Sequence, residues 1–113
     1  MKSFSKKRSK REHWVQFVQG HVVVDLLFAA YNGDITALRR LYLTGQDMAA
    51  ADYDRRTALH LAASEGRLEC VQYLVDKCSV PIAPLDRWGH TPHDDAVRFG
   101  HAEVERYLAS RLA

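Results

Sequence analysis

The six residues HTPHDD at positions 90–95 set His90, His93, Asp94 and Asp95 close together. Imidazole and carboxylate are zinc donors, and a zinc site needs three or four of them converging, with partners behind to orient them. A second group, TALH at 57–60, pairs the Thr57 hydroxyl with the His60 imidazole, which in a cleft is the start of acid–base chemistry. Two thiols, Cys70 and Cys78, complete the reactive inventory. A nucleophilic cysteine needs an electropositive, partly open setting to lower its pKa, and only ordinary lysine and arginine neighbours flank these two.

The segments that carry these residues repeat, and the repeat assigns most of them other work. At an offset of 34, Asp52, Thr57, Ala62, Gly66, Glu69, Tyr73 and Leu74 meet Asp86, Thr91, Ala96, Gly100, Glu103, Tyr107 and Leu108. At an offset of 33 in the other direction, Leu59, Ala62, Ala63, Gly66 and Leu74 meet Leu26, Ala29, Ala30, Gly33 and Leu41. A period of this length, holding a turn and two short helical patterns, marks a solenoid of stacked helical pairs. The repeats are expected near 23–51, 52–85 and 86–112, within one domain over 23–113. In the middle copy Thr57 opens the first helix, Leu59, Ala62 and Ala63 face inward, and Gly66 ends it in the left-handed conformation. Leu68, Val71, Leu74 and Val75 carry the second helix. The third copy follows with Ala96, Val97 and Gly100, then Val104, Tyr107 and Leu108. The fold class is therefore all-α, a short solenoid of about three helix-turn-helix repeats with short β-like turns.

In that register Thr91 and Pro92 start a helix, His93 takes the core-facing slot of Leu59, and Asp94 takes that of His60. No metal site is expected. His93 is a departure, since an imidazole in a leucine slot loses apolar burial. Thr57 and His60 are expected to bond each other and the adjacent turn, as buried polar groups must. Cys70 fills the slot of Val104 and reads as a small core hydrophobe, whereas Cys78 closes the second helix, partly exposed. Two cysteines are too few for a disulfide framework and point to a reducing compartment. Arg55 stands where Gly89 stands in the next copy, a turn position at which a side chain costs strain. The linker KCSVPIAPL at 77–85, with Pro81 and Pro84, is expected to be extended and stiff.

These strings resemble a known family. TALHLAASEG at 57–66 and TPHDDAVRFGHAEV at 91–104 are similar to the ankyrin pattern T-P-L-H-x-A-A-x-x-G-H-x-x-V-V-x-x-L-L. Within it, LLFAAYNGDITALRR (26–40), DYDRRTALHLAASEG (52–66) and DRWGHTPHDDAVRFGHAEV (86–104) resemble the C-terminal ankyrin segment of animal kidney- and liver-type glutaminases, over roughly residues 23–112. The resemblance implies a non-catalytic module for protein contact, its partner being another protein or the parent enzyme's own domains or subunits. It implies no cofactor. Glutaminases of this family use a serine–lysine pair in an S-x-x-K motif of a separate upstream domain, for which 113 residues leave no room. Ser3-Phe4-Ser5-Lys6 matches that motif literally, but nothing in its setting supplies the rigidity and oxyanion hole that the chemistry needs. The chain is thus expected to be no enzyme as it stands, with a glutaminase fragment lacking its catalytic domain as the alternative.

Ankyrin stacks bind through turn tips and inner helices. Here these would be Tyr53, Arg55, Arg56, Arg87, Trp88 and His90 at the tips, and Tyr31, Asn32, Ser64, Glu65, Arg98 and Phe99 along the helices. Arginine beside tryptophan and tyrosine is the composition of interface hot spots. The competing expectation is that Tyr53 and Trp88 fold back and only solidify the stack.

Residues 1–22 form a separate region. MKSFSKKRSKR carries six basic residues and no acid, against a net charge of +2 for the whole chain. It suits a nuclear-targeting or nucleic-acid arm, or a mitochondrial presequence, although with only Met1 and Phe4 it lacks a presequence's apolar stripe. Its composition favours a solvated, disordered tail. Nucleic-acid binding ranks last among the functions. Trp14, Phe17, Val18 and Val22 fall at helical spacing within 12–22, so this segment is a candidate capping helix. The apolar run from Trp14 to Tyr31 is broken by Gln16, Gln19, His21 and Asp25 and spans no membrane. The family resemblance implies mitochondria; a free-standing module would sit in the cytoplasm.

Overall fold

The computed structural model describes residues 23–112. The basic tail, the Ser3–Lys6 match and the candidate capping helix lie outside them. Six helices follow in three antiparallel pairs: α1 (23–32) and α2 (Ile35–Leu43), α3 (Ala58–Ser64) and α4 (Leu68–Gln72), α5 (Pro92–Arg98) and α6 (Ala102–Leu112). No strand is formed among the described residues; one isolated bridge joins Ala51 to Thr57.

Local chemistry sets the helix starts. Asp34 caps α2 by accepting from the Ala37 amide. Thr57 and Thr91 open α3 and α5 through reciprocal capping boxes, with His60 and Asp94 as the returning side chains. Pro92 stands at the first turn of α5, where its missing amide proton costs nothing. α4 does not end cleanly. It widens into a π turn over Tyr73–Lys77, which apolar spacing gave no sign of.

Wholly buried leucines run along the stack: Leu26 and Leu38 in the first pair, Leu59 and Leu74 in the second, Leu108 in the third. Each contributes about 1.5–3 kcal/mol relative to an exposed position. Ala58, Ala62, Ala63 and Ala96 are fully buried where α3 meets α5, and their small side chains let the two helices approach closely. Cys70 is buried and Cys78 half-buried; burial pushes both thiols above their usual range, as suits packing rather than reactivity. The segment from Ser79 to Leu85 is free of regular helix, and its Val80 and Ile82 pack on the core. Ser79 takes φ 57°, a left-handed residue that the two prolines do not announce.

Three positions depart from the repeat. Val97, expected in the core, is half-exposed, because it fills the slot of Ala63 in a helix that no further described repeat covers. His93, in the slot of Leu59, is only partly buried for the same reason. Ser64, expected on the binding side, is buried: His101 of the next pair covers it and its hydroxyl donates to the Leu61 carbonyl. The His101 ring also sits against Gly66, where φ is +71° and an added Cβ would lie 2.5 Å from Nδ1.

Candidate interaction surface

The two turn tips are built by the same device. The Asp52 Oδ1 accepts from the amides of Asp54 and Arg56, each at 2.9 Å. The Asp86 Oδ1 accepts from Trp88 at 3.0 Å and His90 at 2.9 Å. A carboxylate mimicking a turn carbonyl explains why aspartate recurs at this spacing. The tips are tied together: the Arg87 amide donates to the Asp54 carbonyl at 2.9 Å and its guanidinium to the Asp54 carboxylate at 3.1 Å. Arg55 holds φ 61°, whereas Gly89 in the matching position takes φ 80° without a side chain to strain.

Beneath the tips lies a clamp. Arg56, expected to face a partner, instead turns inward and has a structural role. Its Nη1 meets Asp86 Oδ2 at 2.7 Å and its Nη2 meets Asp95 Oδ2 at 2.9 Å. Its side chain is only 16% exposed, and both carboxylates are fully buried. The physical reason is charge: two buried carboxylates need a counter-ion, and the guanidinium is a fork that can serve both. Arg98 adds a bond to the other Asp95 oxygen at 3.1 Å. Burial would raise the Asp86 carboxyl, but the His90 and Trp88 amides and the Arg56 guanidinium outweigh it and hold it below the ordinary carboxylate range. Asp95, in the slot of Leu61, was not foreseen. The available signal was a charge in an apolar slot beside an otherwise unmatched arginine one repeat back.

His60 is wholly buried. Its Nδ1 accepts from the Thr57 amide at 3.1 Å, which leaves the proton on Nε2 to be donated to the His90 carbonyl at 2.9 Å. Burial lowers its pKa, with the His90 carbonyl pulling the other way, so the ring is neutral and joins two repeats. Asp94 accepts from the Thr91 amide at 2.9 Å. That donation is the main cause of its depressed pKa. The metal-type residues of 90–95 are therefore spread over separate tasks. The structure does bring Asp86, His90 and Asp95 together, with ligand atoms within 4.8 Å of one another. The guanidinium of Arg56 already lies on both carboxylates, where a cation would be placed.

The remaining candidates face outward. Tyr53 is fully exposed at 103%, Trp88 is 58% and Phe99 54% exposed. The Arg87 guanidinium lies 5.5 Å from the Trp88 ring centre, and that of Arg98 4.9 Å from Phe99. Arg55 is exposed; His90 is half-buried, its Nδ1 3.4 Å from the Arg98 guanidinium. Tyr31 and Asn32 are exposed and Glu65 partly so. Thr57, His60, Gly66, Thr91 and Gly100 occupy the caps and turns that the repeat assigns them.

Stacked helical pairs at this period, fastened by a Thr–His cap and joined through aspartate-stapled tips, define a class of protein-interaction repeat. The chain belongs to the ankyrin-repeat family, whose model, Ankyrin repeats (3 copies), matches residues 26–113. The particular likeness is narrower. The chain is 54% identical over 91 residues to the mitochondrial liver isoform of glutaminase from Mus musculus, covering 80% of this chain and 15% of that protein. It is 41% identical over 90 residues to putative glutaminase 2 of Caenorhabditis elegans, again covering 80% of this chain and 15% of that protein. Potassium channel SKOR of Arabidopsis thaliana is 45% identical over 76 residues, only 9% of its length. The chain thus spans about 15% of the length of its glutaminase relatives. No helix among the described residues is long and apolar enough to cross a membrane.

Proposed function

We propose that this ankyrin module recognises its partner through the exposed tip and inner-helix residues Tyr53, Arg55, Arg87, Trp88, Arg98 and Phe99, with the rim of His90, and that the partner is another protein or the other domains of a glutaminase. One observation carries this reading: the clamp of Arg56, Asp86 and Asp95 and the His60 bridge join the repeats below the surface, so the exposed aromatic side chains are not needed for cohesion. Exposed Trp and Tyr next to Arg are the residues that dominate interface energetics.

The same reading makes the chain non-catalytic. Residues 23–112 contain one lysine, Lys77, and it is exposed, so they offer no buried serine–lysine pair. The relation to glutaminase supports a second reading, that the chain is a piece of such an enzyme and serves it by holding domains or subunits together.

The test is titration of the chain against the catalytic part of a glutaminase by calorimetry, with Trp88→Ala and Tyr53→Ala beside the unsubstituted chain. Lost binding with an unchanged melting temperature supports the surface; a lower melting temperature with unchanged binding refutes it. Ammonia release from glutamine by the chain alone, above background, refutes the non-catalytic assignment.

A further inference from the structure

Contacts between neighbouring side chains join the exposed residues of the two tips into one strip. Arg55 stands next to Asp54, and Asp54 accepts from both the amide and the guanidinium of Arg87. That guanidinium lies 5.5 Å from the Trp88 ring centre. The Trp88 and His90 amides share one Asp86 oxygen, and the His90 ring meets the Arg98 guanidinium. Arg98 in turn lies 4.9 Å from the ring centre of Phe99. Guanidinium and aromatic ring therefore alternate from the tip of the middle repeat to the end of α5.

The arginines of this strip are held in place without being saturated. Arg87 gives one nitrogen to Asp54 and Arg98 one to Asp95, and their side chains are 61% and 48% exposed. A guanidinium carries five N–H donors, so each keeps donors for a further acceptor. Arg55 is exposed and forms no ion pair among the described residues. It nevertheless holds φ 61° where the next repeat has Gly89. A side chain kept on strained backbone, with no internal ion pair to offset the strain, marks a recognition residue. The nearby carboxylates have internal tasks. Asp52 and Asp94 accept from backbone amides, Asp54 holds Arg87, and Asp86 and Asp95 are buried on Arg56.

We propose that the strip takes a segment of a partner protein in which acidic side chains are spaced by aromatic or aliphatic ones, and that Arg55 selects for its carboxylates. This partner class rests on the tips being the recognition surface. The planar fork of arginine matches a carboxylate with two parallel bonds while its face lies on an aromatic ring. Arg87 and Arg98, each held by a carboxylate and a ring, are already ordered and lose less freedom on binding. Asp52, Asp54 and Asp94 keep their charges beside the strip, so an unbroken run of anions is repelled. Spaced acids meet the arginines singly, and the apolar groups between them lie on Tyr53, Trp88 and Phe99. The same repulsion disfavours a nucleic acid, which carries a charge at every phosphate.

Random peptides displayed on phage are selected on the full chain, with the soluble double variant Arg55→Gln/Trp88→Ala in excess as competitor. The basic residues of 1–11 are the same in both, so peptides that bind only there are removed. The expected survivors carry aspartate or glutamate spaced by apolar residues. In anisotropy titrations with these peptides, Arg55→Gln and Arg55→Gly should each weaken binding about two- to fivefold, the range of one exposed ion pair. Binding should also weaken as salt rises. Arg55→Gly should weaken binding while raising the melting temperature, a combination that a purely structural role for Arg55 does not give. Survivors that need Trp88 but carry no acid overturn the acidic partner and leave the tip surface standing. So do survivors that bind Arg55→Gln as tightly as the parent chain. A DNA oligonucleotide whose binding is lost with Arg55→Gln overturns the protein partner in favour of nucleic acid. Recovery of no peptide that discriminates the parent chain from the double variant refutes both the acidic partner and the tip surface.

Discussion

Replacing Arg56 with alanine tests the clamp most directly. The guanidinium is the partner of Asp86 Oδ2 at 2.7 Å and of Asp95 Oδ2 at 2.9 Å, with both carboxylates fully buried. Removing one side of a buried ion pair typically costs about 3–5 kcal/mol, because the remaining charge is stranded. Here the lower end applies. Arg98 still serves Asp95, and the Trp88 and His90 amides still serve the other oxygen of Asp86. For a domain of this size a loss of about 3 kcal/mol lowers the melting temperature by about 12–24 °C.

Two further arms identify the cause. Without Arg56 the Asp86 carboxyl loses one of the groups that hold it down while burial still pushes it up, so the folded variant takes up a proton at a higher pH than the folded parent chain does. The gap between the parent chain and Arg56→Ala should therefore narrow as pH falls. Adding Asp86→Asn to Arg56→Ala removes the stranded charge and should restore at least about 1 kcal/mol. Thermal melts followed by circular dichroism, at pH 7 and pH 4.5, measure all of this. A loss under about 1 kcal/mol, or a gap that does not change with pH, refutes the view that Arg56 neutralises buried carboxylates.

The His60 ring has a pKa lowered from 6.5, so the unfolded chain binds protons there more readily than the folded one; stability should be complete above about pH 6.5 and fall below it. Asp86 and Asp94, lowered from 3.8, add a second loss below that value, and a melting temperature that rises between pH 7 and pH 5 would contradict the first step. Gly66→Ala should destabilise by clearly more than Gly100→Ala in urea titrations, since only at Gly66 would the new Cβ meet His101; Gly100 has nothing within 4 Å and incurs only the left-handed cost of about 1–2 kcal/mol. Arg55→Gly should stabilise by up to about 1 kcal/mol by relieving a side chain held at φ 61°, and a loss of stability would mean that Arg55 makes a compensating contact.

Much of the framework was legible in the chain itself. Recurrence of aspartate, threonine, alanine and glycine at a fixed interval reflects short-range physics: an aspartate staples its own turn, a threonine caps its own helix, and a glycine turns left-handed within one peptide. The apolar spacing likewise placed Leu59, Leu74 and Leu108 in the core. What the linear pattern lacked was distance across repeats. Arg56 and Asp95 stand 39 positions apart, and only stacking shows that one neutralises the other, turning a supposed contact residue into a buried one. Val97 and Ser64 were misplaced for the complementary reason: identical slots differ in exposure according to whether a neighbouring repeat covers them. Local sequence thus determined the unit and its fastenings, while the tertiary stack decided which charged and aromatic side chains are left facing outward, because burial and ion pairing between repeats are properties of the neighbour as much as of the residue.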